Sequence, residues 1–151
     1  MTQKIPYICG PLTELAADLQ IEVKDLYTAL GDICLEILGV RAFVPHENYD
    51  PIKHAHYTPK QIDAVERNQV CQKTSVLVVV AVEPSWGAGI EVEMANRSDV
   101  PVIVFKDASR KLSRLLLGNP GVREVIEYEQ LEDIKNLLRE ALTRFKQHLA
   151  A

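Results

Sequence analysis

Residues 76–82 read VLVVVAV, an almost wholly apolar and largely β-branched run. Such a run fits a central strand of a parallel sheet, covered on both faces by helices. A turn follows, Glu83-Pro84-Ser85-Trp86-Gly87-Ala88-Gly89, and then a short helix is expected over residues 90–97. Residues 100–105 (VPVIVF) form a second apolar run. Strand, helix, strand within 30 residues implies a parallel pair joined by a crossover.

Working outward, residues 4–9 (KIPYIC) read as a first strand stopped by Gly10-Pro11. A helix is expected over 21–37, where Leu26, Leu30, Ile33 and Ile37 recur at spacings of three and four, and Gly39 is a natural stop. Residues 41–44 (RAFV) are expected as a strand closed by Pro45. Residues 46–58 (HENYDPIKHAHYT) show neither period and read as the longest loop. Thr58-Pro59 looks like an N-cap with Pro at the first helical position, opening a helix to about residue 73. A further helix over 111–117, a strand over 122–128 and a C-terminal helix over 131–149 complete the pattern. The last carries an apolar stripe of Ile134, Leu137, Leu138, Ala141, Phe145 and Leu149. The expectation is one α/β domain over residues 1–151, a doubly wound flavodoxin- or Rossmann-like parallel sheet of about five strands with helices on both faces.

The composition narrows the function. With 151 residues, 47% hydrophobic and 25% charged, the chain has the balance of an ordinary globular protein. A net charge of −4 gives no broad attraction for a nucleic acid polymer or an anionic membrane. There is no basic-apolar leader and no apolar run of about 20 residues, so a cytoplasmic location is expected. Cys9, Cys34 and Cys71 sit among apolar neighbours at unpaired spacings and read as buried free thiols.

In open α/β sheets, ligands sit outside the carboxyl ends of the strands. The segments expected there are Gly10-Pro11-Leu12-Thr13, Pro45-His46-Glu47 and residues 84–91. In the last, Gly87 and Gly89 allow close backbone approach, and a helix N-terminus offers free N–H groups. Glu91 is expected in the first turn of that helix, where an acid either points into the crevice or only complements the helix dipole.

The segment VVVAVEPSWGAGIEVEMANRSDVPVIVF, with YICGPL near the start, resembles the nucleoside 2-deoxyribosyltransferase superfamily, closest to its 2′-deoxynucleoside 5′-phosphate N-hydrolase branch. That resemblance spans residues 7–128. It implies cleavage or transfer of the N-glycosidic bond of a 2′-deoxynucleoside or its 5′-monophosphate through a glycosyl-enzyme, with no cofactor. By resemblance, Glu91 is the nucleophile, Tyr7 orients it, Gly10 forms the adjacent turn, and Ser85 contacts the 5′-phosphate. Ser113 matches a serine that a neighbouring subunit contributes, which implies a homodimer or higher homo-oligomer. The family's active-site Asp falls on Arg67 without a gap, or beside it on Glu66 with a one-residue slip. Adjacent helix positions differ by about 100°, so only one of the two faces the pocket. Pro11 and Thr13 also depart from the small polar and basic residues of the hydrolase branch's phosphate loop. If Arg67 faces the pocket, the alternative is a catalytically impaired nucleotide-binding or sensing module.

Further features carry two readings each. His46 follows a strand and can reach a base or sugar, or be a solvated loop histidine. Trp86 can stack on a base or pack against a neighbouring subunit. His46, His54, His56, Glu47 and Asp50 lack the spacing of a zinc site, and no metal is expected. Arg110, Lys111 and Arg114 face a phosphate across an interface or form an ordinary solvated surface.

Overall fold

The computed structural model describes residues 2–151. Its single sheet has four parallel strands in the order β1 (Ile5–Cys9), β2 (Thr74–Ala81), β3 (Val102–Asp107), β4 (Val122–Tyr128). The apolar run at 76–82 is the inner strand β2, and Val76, Leu77, Val78 and Val80 have no exposed surface. Alternate residues of β2 feed two cores, as expected for a strand covered on both sides. One core, containing Val76, Val78 and Val80, lies under α1 (Ala17–Leu38) and α6 (Asp133–Ala150). The other, containing Leu77 and Val79, lies under α3 (Pro59–Lys73) and α4 (Trp86–Arg97).

The expected fifth strand, at residues 41–44, is reduced to one bridge between Phe43 and Tyr7. Phe43 N donates to Pro6 O at 2.8 Å and Ile8 N to Phe43 O at 3.0 Å. The next rung on one side needs an N–H from Pro45 and on the other side an N–H from Pro6, and proline has neither. The bridge still places this segment on the free edge of β1. The chain therefore leaves β1 in one direction and returns to build β2, β3 and β4 in the other, so the winding reverses between β1 and β2. That reversal opens a crevice at their carboxyl ends.

Local signals account for most element ends. Gly39 closes α1 in the left-handed conformation, φ 76°, its N–H bonded to Leu35 O at 3.0 Å. Thr58 and Gln61 form a complete capping box on α3. Helix α1 starts at Ala17, four residues before the expected point. The 111–117 helix is only α5 (Arg114–Leu117), capped by Ser113.

The largest local correction concerns α4. It begins at Trp86, not Ile90, because the Ser85 hydroxyl accepts the Ala88 N–H at 3.3 Å. The N-cap bond offsets much of the poor helix propensity of two glycines, and burial of Val92, Met94 and Ala95 on the same helix supplies the rest. Gly87-Ala88-Gly89 is thus the first helical turn and not a loop. Glu91 lies in the second turn, beyond the reach of a simple dipole-neutralising role.

The expected long loop is also more ordered than its composition suggests. It contains α2 (His46–Tyr49), and buried Asp50 organises the rest. The Asp50 carboxylate accepts N–H bonds from Ile52 and Lys53 at 2.8 and 3.0 Å and pairs with Lys24 of α1 at 2.5 Å. Cys9 and Cys34 are buried free thiols, whereas Cys71 is half-buried. No helix among the described residues is long and apolar enough to cross a membrane.

Candidate active site

In β1, successive side chains alternate between faces, so Tyr7 and Cys9 both point toward the α3–α4 layer while Ile8 points to the other. Glu91 of α4 is 8% exposed and stands over Tyr7 and Cys9. The Tyr7 hydroxyl donates to Glu91 Oε1. The Cys9 thiol donates to Oε2 at 2.7 Å. Tyr7 is held in turn by a stacked contact with Phe43, ring centroids 5.3 Å apart. A buried carboxylate needs partners for its oxygens, and β1 supplies one for each.

Glu66 of α3 faces the same cavity. Arg67 does not: its side chain is 54% exposed and pairs with Asp63 at 2.8 Å. Burial, the nearby Glu91 and then Asp63 push the Glu66 carboxyl up to about 8. Burial also raises Glu91, while the bonds from Cys9 and Tyr7 act against that rise. Burial and the neighbouring Glu91 carboxylate raise both Tyr7 and Cys9 well above their ordinary values, so both remain protonated donors. Near neutral pH the site therefore pairs a protonated Glu66 with a hydrogen-bonded Glu91. Two carboxyl groups with environments that separate their proton affinities are the usual basis of acid and nucleophile roles.

The cavity around this pair measures about 530 Å³, a volume suited to a small ligand. Gly10 and Leu12 form one rim, Tyr49, His54 and Tyr57 another, and Ser85, Gly87 and Glu91 of α4 a third. Gly10 is dictated by packing: a Cβ there would lie 2.1 Å from Tyr27 Oη and 2.9 Å from Val80 O. Tyr27 donates to Pro11 O at 3.0 Å and holds this turn against α1. Glu14, Asp50, Asp63, Glu66 and Glu91 line the cavity, with no Lys or Arg among its lining residues.

A second cavity of about 860 Å³ lies across the start of α4. Pro11, Trp86, Gly89 and Ser113 line this one, and Ser85 borders both. Within one chain, then, Ser85 and Ser113 do not meet in the Glu91 cavity. Ser113 instead caps α5, accepting from Leu116 N at 3.5 Å. Trp86 is 90% exposed and leaves the Glu91 cavity altogether. His46 lines neither cavity. Its Nε2 lies 3.3 Å from Thr28 Oγ1 and its ring tilts against Tyr27, 6.2 Å between centroids. Burial lowers its proton affinity, so it serves as a neutral half-buried wedge between α1 and α2. Arg110 pairs with Glu83 at 2.7 Å.

The sequence offers Tyr49 and Tyr57 only as loop aromatics free to stack on a base, and it does not point to Cys9 or Asp50 as parts of this site. The period-two spacing of Tyr7 and Cys9 was a usable signal for Cys9. The other three depend on how the 46–58 segment folds back over α1, which no local pattern announces.

No protein-family model matches the chain, and no curated protein matches it by sequence. Solved structures do. A conserved protein from Enterococcus faecalis V583 superposes with a TM-score of 0.61 at 18% identity, covering 93% of this chain and 99% of the other. The CMP N-glycosidase BcmB of Clostridium botulinum superposes with a TM-score of 0.63 at 18% identity, covering 89% and 98%. The chain thus has the α/β fold of that N-glycosidase over nearly the whole length of both proteins.

Proposed function

We propose that this chain cleaves the N-glycosidic bond of 2′-deoxynucleosides or their 5′-monophosphates, with Glu91 as nucleophile and Glu66 as acid. The observation that carries the reading is the arrangement of the two carboxyls. Glu91 is buried and held by two donors at the carboxyl ends of the strands, and Glu66 faces it in one cavity with its proton retained. The fold of an N-glycosidase supports the same class of reaction.

In the first step a Glu91 oxygen bonds to the anomeric carbon. The C–N bond breaks, its electron pair leaves with the base, and the Glu66 proton goes to the base. In the second, water attacks the anomeric carbon, the Glu66 carboxylate takes its proton, and the Glu91 ester bond breaks. An acceptor base in place of water completes a transfer. No metal or organic cofactor enters either step. Gly10 and Leu12, with the tyrosines of the 46–58 segment, form the cavity walls around base and sugar. Ser85 and the first turn of α4, including Gly87, offer donors to the 5′ end. The acidic lining favours an uncharged 5′-hydroxyl within a single chain. A phosphate is better accommodated with Ser113 and Lys111 of a second copy, and the exposed apolar surface of Trp86, Ile90 and Leu115 beside Ser113 suits such a homo-oligomer.

The sensing-module alternative required Arg67 in the pocket. Arg67 in solvent and Glu66 on the cavity wall support the enzyme reading over the module. The deciding experiment is free-base release from a panel of 2′-deoxynucleosides, their 5′-monophosphates and CMP, followed by chromatography. Release by the native protein, with loss of at least about a thousandfold in Glu91→Gln, is expected for a missing nucleophile. Equal release by both proteins, or none from any substrate, sinks the proposal.

A further inference from the structure

Tyr7 and Cys9 are two residues apart on β1 and reach different oxygens of one carboxylate. A two-point hold fixes both the position and the plane of the Glu91 carboxyl group. By contrast, no side chain among the described residues donates a hydrogen bond to Glu66. Two carboxyls facing one cavity repel each other when both are ionised, so at intermediate pH they retain one proton between them. The proton settles on the partner whose charge is less well stabilised.

We propose that Cys9 is a positioning residue of this site: with the Tyr7 hydroxyl, its thiol clamps Glu91 and so assigns the negative charge to Glu91 and the retained proton to Glu66. This rests on the hydrolytic reading for its purpose, but the proton placement belongs to the free protein and exists whether or not a nucleoside is cleaved. Tyr7 and Cys9 approach Glu91 from β1, Glu66 from α3 with Asp63 one turn before it, and Tyr27 from α1, while Glu14, Asp50 and His54 line the same cavity. On α4 itself, the positions one turn away are Gly87, Ala88, Met94 and Ala95, none of them titratable. Cys9 is fully buried and stays protonated, so it acts as a donor and not as a nucleophile. Tyr7 alone would leave Oε2 without a side-chain donor among the described residues.

The test follows the glutamate carboxyl carbons by NMR in protein labelled at that carbon, from acid to alkaline pH. Glu66→Gln and Glu91→Gln assign the two signals. In the native protein Glu91 should ionise first and Glu66 second. Cys9→Ala, and the better-filling Cys9→Val if alanine loosens the core, should move the Glu91 transition upward and bring the two together or invert them. Cys9→Ser should restore the native order, because a hydroxyl at this distance still donates. Cys71→Ala, which removes a thiol outside the cavity, should change nothing. In the base-release assay Cys9→Ala should lower kcat about tenfold, with KM within about twofold and the acid limb of the kcat profile displaced upward. Native titration order in both Cys9→Ala and Cys9→Val overturns the inference even if the protein is an active hydrolase. Absence of base release from the native protein overturns the hydrolytic reading instead, and the titrations alone then decide the role of Cys9.

Discussion

Two hydrogen bonds to one carboxylate set the character of the site. Glu91 is buried because Tyr7 and Cys9 hold its two oxygens, and Glu66 keeps its proton because burial and Glu91 disfavour its charge. Replacing Glu66 by Gln should therefore slow release of bases that leave only when protonated, by about a hundredfold or more, while a substrate with a nitrophenol-like leaving group loses far less. Stability carries the same signature. The Glu66 carboxyl binds protons more tightly in the folded chain, about 8 against an ordinary 4.5. Its contribution is fully present below 4.5 and is lost as pH rises toward 8. Urea unfolding should show native stability declining between pH 5 and 8 by roughly 3 kcal/mol more than that of Glu66→Gln. A larger decline in the variant would refute the assignment. Gly10 belongs to this scale as well. Gly10→Ala would drive Cβ into Tyr27 and the Val80 carbonyl, and should cost about 3 kcal/mol, read as a loss of melting temperature. The Gly10 turn and the Glu91 segment are marked by local composition, whereas Tyr7 is pointed to only by the family resemblance. Cys9 was not singled out, because an apolar neighbourhood hides a thiol that bonds a carboxylate 82 positions away.

At the scale of the element, α4 joins stability to binding. Ser85 caps it, and Ser85→Ala should cost about 1 kcal/mol in unfolding free energy. The two glycines of its first turn have no packing need: nothing lies within 4 Å of a Cβ built at Gly89, and at Gly87 only Ser85 Oγ, 3.9 Å away. Gly89→Ala should then stabilise the protein by about 0.5–1 kcal/mol, measured by denaturant midpoint. Gly87→Ala should stabilise similarly yet weaken ligand binding several-fold, because Gly87 lines the Glu91 cavity and Gly89 does not. Equal binding by both variants would remove Gly87 from the site. The Thr58–Gln61 box and Gly39 show element ends set by local chemistry. At the start of α4 two local signals compete: the two glycines favour a loop, while the Ser85 cap and the buried face of Val92, Met94 and Ala95 favour helix.

Across the whole molecule, the reversal of winding between β1 and β2 brings Glu66 and Glu91, far apart in sequence, to one crevice, with Tyr7 buried behind Glu91. Asp50 and Lys24 tie the 46–58 segment over it. Burial works to raise the Asp50 carboxyl, but the Lys24 ammonium and the Lys53 and Ile52 amides pull it well below its ordinary value. That stabilisation is present above 3.8 and is lost as pH falls further, so acid should loosen this segment before the sheet. Hydrogen exchange at residues 51–57 rising ahead of β2 checks this. Sedimentation tests the proposed homo-oligomer: a mass near twice the 16.9 kDa chain or above is expected, and a monomer at micromolar concentration would exclude it. Hydropathy and local chemistry by themselves determined the alternation of strands and helices, the burial of residues 76–82, the helix caps at Thr58 and Gly39, and the segments that reach the carboxyl ends. Those features depend on neighbours a few positions away, and the chain carries them explicitly. Only tertiary packing decided that residues 41–44 lie against the free edge of β1, that Glu66 and not Arg67 turns inward, that Cys9 bonds Glu91, and that Ser113 faces a different cavity. Each of these depends on which distant backbone group or charge lies opposite, and that is set by the closing of the sheet and its helices around a common core.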